Sequence, residues 1–371
     1  MGNDTSKEGK KGRSPTDSPS SGRRPSAFSR LSKGRESLRL EHLVEPCGSE
    51  EAALRIWSYL SNDRPTSESI SLNQELAELL LSLMGSSTDI YVKVLSKPPA
   101  ALLSTSAAAA GVSLTAVDET FVLSVLKSMQ DHGSETDELV NWKRTWCPSL
   151  CHALQTRFVS HSTGAKRTPE EAMQSEILSP LQFWFLQCAL PEVYTTCLQD
   201  KSLGGVWSLL YSSAWHGLSV NRFEHHVFDY RGPTVTIFHL QNGQIVILAL
   251  DTEWRHGSSL FGGQYCELLG LHPVLFRKCA KAQCYANFRL RSAKQGITVL
   301  HGQLQVDGHL SGVQAIETWG CAGSNTLEEQ RRAKEWQTRQ QERMRKMAGR
   351  EFASDLGVER PPDRKDRANN D

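Results

Sequence analysis

The stretch Trp207–Trp254, WSLLYSSAWHGLSVNRFEHHVFDYRGPTVTIFHLQNGQIVILALDTEW, decides the fold class. Its opening, Trp207 to Tyr211, reads as an apolar turn or short helix. Ser212 and Ser213 break it, and His216-Gly217-Leu218-Ser219 follows. Ser219 is placed to cap a helix from Val220 to about Phe228, with Val220, Phe223, Val227 and Phe228 on one face. Arg231-Gly232-Pro233 stops that helix. Two β-rich runs come next, Thr234–Leu240 and Gln244–Leu250, joined by Asn242-Gly243. That dipeptide is a hairpin signal because both residues accept positive φ. Thr234 to Phe238 alternates polar and apolar residues, as a half-buried strand does. Ile245–Leu250 is continuously apolar, as a strand covered on both faces is.

Upstream the pattern is helical. Ser49-Glu50-Glu51 opens a helix through Ile56, Trp57 and Leu60, broken at Pro65. Ser71 or Asn73 caps the next, with Leu76, Leu79, Leu80 and Leu83 at helical spacing. Tyr91–Leu95 fits helix or strand, and Lys97-Pro98-Pro99 breaks the chain. A further helix is expected over Leu114–Met129, with Val117, Phe121, Val125 and Leu126 on its face. Leu139, Trp142, Trp146 and Leu150 continue the helical reading to a polar insert, Ser160–Glu170. Ser179-Pro180 then starts a helix carrying Leu181, Trp184, Phe185 and Leu186. The fold class expected is α+β: an all-helical domain over 41–200, a β-containing domain with helices over 201–323, a single charged helix over 324–349, and a disordered tail over 350–371.

Composition narrows the function. The 371 residues carry a net charge of +1, which gives no global signature of nucleic-acid binding. No run approaches the roughly 20 apolar residues that cross a bilayer. The N-terminus has no apolar core of the signal-peptide kind. Nine scattered cysteines then read as reduced thiols and not as a disulfide frame.

Met1-Gly2-Asn3-Asp4-Thr5-Ser6 fits the myristoylation pattern, with Gly2 as the acylated amine. Ten Lys and Arg residues between Lys7 and Arg39 surround it, against four acids. One myristoyl chain holds a membrane only marginally, and each basic residue near an anionic leaflet adds about 1 kcal/mol, so lipid and charge together make a two-signal anchor. Residues 1–40 are otherwise too polar to form a core and are expected to be disordered. Arg23-Arg24-Pro25-Ser26 fits a basophilic kinase site, where a phosphate at Ser26 would weaken that anchor.

At the other end, Thr326-Leu327-Glu328-Glu329 is a capping box opening a helix to about Met347. Its residues are mostly Gln, Glu, Arg and Lys, with a thin stripe of Leu327, Ala333, Trp336, Met344 and Met347. Such a helix is either solvated and held by pairs such as Glu335–Arg339, or kept for a partner, with Trp336, Arg339, Arg343 and Met344 as contacts.

Motifs for catalysis are sparse. His225 and His226 are adjacent, so on a helix they point about 100° apart and cannot share an ion; they read as surface histidines. Cys147-x₃-Cys151-His152 and Cys279-x₄-Cys284 lack zinc-knuckle spacing. The region from Asp131 to Asp137 lacks the spacing of an EF-hand. Phe261-Gly262-Gly263 reads as a turn and not a phosphate cradle. Asp251, Glu253 and Glu317 are carboxylates near strand ends without a partner acid or base. The role expected of Glu317 is to accept hydrogen bonds from turn amides near His216. No cofactor, no metal and no catalytic residue is expected.

The opening W-x-L-L-Y-S-x-x-x-H-G-x-S, carried here by Trp207, Leu209, Leu210, Tyr211, Ser212, His216, Gly217 and Ser219, resembles that of the TLDc domain. Gly232-Pro233-Thr234 and the closing Glu317-Thr318-Trp319-Gly320 resemble it too. The resemblance covers roughly 177–347 and implies that the β-containing domain is a β-sandwich with helices. The charged helix after Trp319-Gly320 is similar to the subgroup of the yeast restriction-of-telomere-capping protein and the animal mTOR-associated lysosomal TLDc protein. The segment from Gln295 to Gly312 is reduced against the family pattern, so a trimmed or diverged second half is expected. Taken with the N-terminal anchor, the reading is a non-catalytic adaptor, cytoplasmic and peripherally attached to a lysosomal, vacuolar or other intracellular membrane. Its implied partners are V-ATPase subunits, with a link to mTOR-type growth or stress signalling. The alternatives it leaves are a protein of oxidative-stress protection and a cytoplasmic scaffold linked to telomere capping.

Overall fold

The structure is a computed structural model and describes residues 27–61, 68–71, 73–164, 174–199, 205–290, 295–323 and most of 328–347. Its first half is built from helices α1 (Ala27–Leu31), α2 (Glu41–Cys47), α3 (Glu50–Leu60), α4 (Gln74–Met84), α5 (Asp89–Leu95), α6 (Pro99–Ala109), α7 (Glu119–His132), α8 (Thr136–Trp146), α9 (His152–Thr163), α10 (Pro180–Ala189) and α11 (Glu192–Gln199). Several starts follow local chemistry. The Ser49 side chain accepts the Ala52 N–H at α3, and Asn73, not Ser71, accepts the Leu76 N–H at α4. Ser179 and Gln182 form a reciprocal capping box on α10, whose first residue is Pro180.

Three sequence expectations change here, and one open reading is settled. Residues 1–26, with Gly2 and Ser26, lie outside the described residues, but 27–40 is not an unstructured tail. Helix α1 and strand β1 (Ser37–Leu38) bury Phe28, Leu31 and Leu38, and β1 pairs antiparallel with β2 (Ile70–Ser71). Tyr91–Leu95 is helical, and α6 begins directly at the Pro98-Pro99 break. The helix expected from Leu114 starts only at Glu119, after a short 3-10 turn, and Val117 is 83% exposed while Phe121 and Val125 are buried. The expected polar insert begins later than Ser160, because α9 continues to Thr163.

The second half contains two antiparallel sheets. The larger has the order β3-β11-β4-β5-β6-β7, from strands β3 (Ser208–Ser212), β4 (Thr234–Leu240), β5 (Ile245–Leu250), β6 (Glu267–His272), β7 (Phe276–Cys279) and β11 (Val313–Gly320). The smaller has the order β10-β9-β8, from β8 (Cys284–Asn287), β9 (Gly296–Val299) and β10 (Leu304–Asp307). The stretch from Gln295 to Gly312, expected to be trimmed or diverged, supplies two strands of a sheet. Helices α12 (Ser213–His216) and α13 (Val220–Val227) fall between β3 and β4. The chain is thus α+β, with a helical N-terminal region followed by a β-sandwich that carries helices.

Ser208–Ser212, read in the sequence as part of a turn or short helix, forms an edge strand. Its partner is β11, about a hundred residues later, with Glu317 opposite Ser212 and Gly320 opposite Ser208. Only Gly243 of the Asn242-Gly243 pair has positive φ. Gly243 N–H donates to the Leu240 carbonyl and Leu240 N–H to that of Gln244, so the hairpin closes through a three-residue loop with a glycine bulge.

Strand β5 is buried along its whole length. Strand β4 is not half-buried, as its alternation implied: Thr234 and Thr236 are as buried as Val235 and Ile237. Thr234 Oγ1 accepts from the indole of Trp254 at 2.9 Å, and Thr236 pairs with Thr318 at 3.2 Å. One face of the large sheet, with Val235, Ile237, Ile247, Leu269 and Trp319, shares a core with the helical region through Phe183, Trp207 and Tyr194. The other face, with Phe238, Val246, Leu248 and Ile316, packs on α13 and the small sheet through Phe223, Trp254 and Ile297.

Polar contacts accompany the first of these interfaces. Arg277 on β7 donates to the carbonyls of Thr145 and Trp146 at the end of α8 and pairs with Glu267 at 2.8 Å. Tyr194 donates to the Tyr265 carbonyl at 2.8 Å. Within the bundle, Asp89 at the start of α5 holds Lys143 at 3.0 Å and Arg144 at 2.6 Å on α8. Burial alone would raise the Asp89 carboxyl, but the hydrogen bonds from Arg144 and Lys143 outweigh it and hold the group below its ordinary value.

Candidate partner-binding surface

The residues of the opening motif are structural in what they touch. Trp207 is buried and donates its indole N–H to the Tyr194 carbonyl at 2.7 Å, with its ring edge-on to Phe183. Tyr211 donates to the Gly217 carbonyl at 2.8 Å and accepts the Ser219 N–H at 3.2 Å. That hydroxyl, and not the Ser219 side chain, ties down the entry to α13, which shows no side-chain cap bond. Burial pushes the Tyr211 phenol up from its ordinary value. Gly217 takes φ 74°, a conformation for which glycine has no Cβ penalty. His216 stacks on Tyr211, and its Nδ1 accepts the Ser212 N–H at 3.1 Å.

The closing motif is similar. Glu317 is buried and accepts from Ser175 Oγ at 2.5 Å and from the Glu176 N–H at 2.7 Å. Its expected role as an acceptor for a turn holds, but the turn precedes α10 and is not that of His216. Trp319 packs against Phe183 at 5.2 Å between ring centroids. Tyr230 lies against both Gly232 and Gly320: a Cβ on Gly320 would come within 2.6 Å of its ring. Its hydroxyl accepts the Ala322 N–H at 2.9 Å, and burial pushes the phenol up to about 12.

Other candidates resolve in the same way. The Asp251 carboxylate accepts the N–H groups of Gly263 at 2.7 Å and Tyr265 at 2.8 Å, so the turn amides that might have cradled a phosphate already hold a side chain. A Cβ on Gly263 would meet that carboxylate at 2.4 Å. His225 is exposed, whereas His226 is only half-exposed and turns onto His216 at 4.3 Å. Among the described residues no group of three or more His, Cys, Asp or Glu side chains converges as metal ligands would.

Within the matched motif, then, the side chains explain folding. What they leave open is a groove of about 410 Å³ beside the edge strand β3. Leu209, Leu210, His216, His226 and Tyr230 line it, and Gln330 and Arg331 of the C-terminal helix close one side. The helix is rooted there. Gln330 accepts the Arg231 N–H and returns a bond to the Arg231 carbonyl, both at 3.0 Å. No sequence signal pairs residues 99 positions apart, so this root was not foreseen. Beyond it the described residues of 328–347 remain helical, and Trp336, Met344 and Met347 are 63%, 68% and 59% exposed. Glu335 and Arg339 pair at 3.4 Å, as their i,i+4 spacing predicts. At 100° per residue, Trp336, Arg339, Arg343, Met344 and Met347 fall within an arc of roughly 140°. Thr326 and Glu329, the expected capping box, lie outside the described residues.

Residues 172–322 match the family model of the TLDc domain. This stretch is a TLDc domain. It takes in α10 and α11 as well as both sheets, and it ends two residues after β11. Trp207, Tyr211, His216, Gly217, Ser219, Gly232, Glu317, Trp319 and Gly320 all belong to it, while the C-terminal helix follows it. No curated protein matches the chain.

Proposed function

We propose that the protein is a non-catalytic adaptor whose TLDc domain presents the C-terminal helix to a macromolecular partner. The carrying observation is the contrast along that helix: Gln330 is bonded to the domain at both ends of its amide, while Trp336, Met344 and Met347 are exposed. Large apolar side chains interleaved with Arg339 and Arg343 suit a partner with an apolar centre and an acidic rim. Together with the resemblance, this supports subunits of the vacuolar proton pump as the partner. Myristoylated Gly2 and its basic neighbourhood would hold the protein, otherwise cytoplasmic, at a lysosomal or vacuolar surface, within reach of mTOR-type signalling.

Protection against oxidants by thiol turnover is less well supported. It needs a thiol with a depressed pKa. Burial instead pushes Cys47 and Cys151 up to about 12 and Cys197 up to about 11. The test is affinity capture with the intact chain and with a chain ending at Gly323. Pump subunits are expected with the first alone, and their absence from both ends the partner assignment. Gly2→Ala is expected to move the protein from the membrane fraction to the soluble one; an unchanged distribution removes the anchor.

A further inference from the structure

Two cysteines from different sheets meet under the turn that Asp251 holds. Cys266 immediately precedes β6 of the large sheet, and Cys284 opens β8 of the small one. Their sulfurs are 3.3 Å apart, and both side chains are buried. The backbone around them is held from several sides. Phe261 and Cys284 exchange backbone bonds at 2.8 and 3.0 Å, and Ala280 N–H donates to the Cys266 carbonyl at 2.8 Å. Gly262, at φ 113°, lies directly over the pair: a Cβ there would stand 3.2 Å from the Cys266 sulfur.

We propose that Cys266 and Cys284 are an oxidisable pair that closes to an intersheet disulfide when the protein meets a small hydroperoxide. Each sulfur already lies within reach of the other, so bond formation needs rotation of side chains and no rearrangement of strands. The two sulfurs are equally placed to begin, and the reaction is written with Cys284 first. The Cys284 sulfur attacks a peroxide oxygen: an S–O bond forms, the O–O bond breaks, and the Cys284 proton leaves with the departing oxygen. The Cys266 sulfur then attacks the Cys284 sulfur. The S–S bond forms, the S–O bond breaks, and the hydroxyl takes the Cys266 proton to leave as water. Two thiols lose two electrons and two protons; hydrogen peroxide gains both and becomes two waters. The step is stoichiometric. Its product staples the two sheets together.

The test uses the full chain with hydrogen peroxide. After denaturing alkylation, trypsin separates the three cysteines of this region into peptides 256–277, 279–281 and 282–289. The expected product is 256–277 joined to 282–289, two hydrogens lighter than their sum and released by reductant. Closing a loop between residues 18 apart is expected to raise Tm by about 5–10 °C. Cys279→Ser, which removes the exposed thiol on β7, is expected to leave the link intact. Alkylation of both Cys266 and Cys284 after peroxide treatment, or a link from either to Cys279, overturns the proposal. So does a link that forms with no rise, or with a fall, in Tm.

Discussion

The two faces of the large sheet are buried by different means. The face toward the helical region is covered by aliphatic side chains and two tryptophans, with Val235, Ile237, Ile247 and Leu269 meeting Phe183, Trp207 and Trp319. The face toward the small sheet mixes aromatic packing with hydrogen-bonded hydroxyls and thiols, as in Thr236–Thr318, Thr234–Trp254 and Cys266–Cys284. The difference teaches which neighbour each face depends on. The second face is covered by chain that lies between β3 and β11, so it closes on itself. The first has its cover upstream, in helices that the sheet's own strands do not include.

Removing the cover is the largest expected effect. A fragment of residues 205–323 keeps both sheets but exposes Val235, Ile237, Ile247, Leu269 and Trp319 together. It is expected to run as aggregate in size exclusion, where the full chain gives a soluble species. A soluble, folded fragment would break the comparison outright. The next largest effect tests the helical side from within. Asp89→Asn leaves Lys143 buried at 3% exposure without its counter-charge and should cost about 3 kcal/mol in urea denaturation at neutral pH. Because the Asp89 carboxyl is held below its ordinary value, its contribution is complete above about pH 5 and is lost as pH falls through the folded value. The gap between parent and variant should therefore narrow toward pH 3.

Smaller effects sharpen the other side. Thr236→Val removes one hydroxyl of a buried pair and leaves Thr318 seeking a partner, at a cost of about 1 kcal/mol by the same denaturation. Trp336→Ala lies outside both faces. It should change stability by less than about 0.5 kcal/mol while removing the captured partner. A stability loss comparable to Thr236→Val would mean that the helix packs on its own domain.

What the sequence made legible follows from how local the cause was. Caps at Ser49 and Ser179, the apolar face of α13 and the glycine of the β4–β5 turn depend on neighbours within four residues and are legible, whereas the pattern leaves Ser71 and Asn73 open at α4. Strand β3 is illegible locally because Trp207-Ser208-Leu209-Leu210-Tyr211 has no strand alternation; its extended form comes from β11, far along the chain. The threonines of β4 misled for a related reason: polarity marks exposure only when no distant hydroxyl or indole waits to satisfy it. Helix α6 gave no amphipathic signal because Ala101, Leu102, Leu103, Thr105, Ser106, Ala107 and Ala109 are buried around its circumference. In the candidate surface, Trp336 and Met344 stood out against a charged helix, but the Arg231–Gln330 root and the exposed Leu209 beside it are products of the tertiary fold.

The twin amide bonds between Gln330 and Arg231 have a consequence for the speed of capture. A helix tethered by loose chain sweeps a wide volume, and most encounters present the wrong side. One bolted at its base, less than two turns before Trp336, points its tip into a narrow cone. Part of the orientational entropy of association has then been surrendered during folding, so a protein gripping Trp336 and Met347 collides with them already aimed.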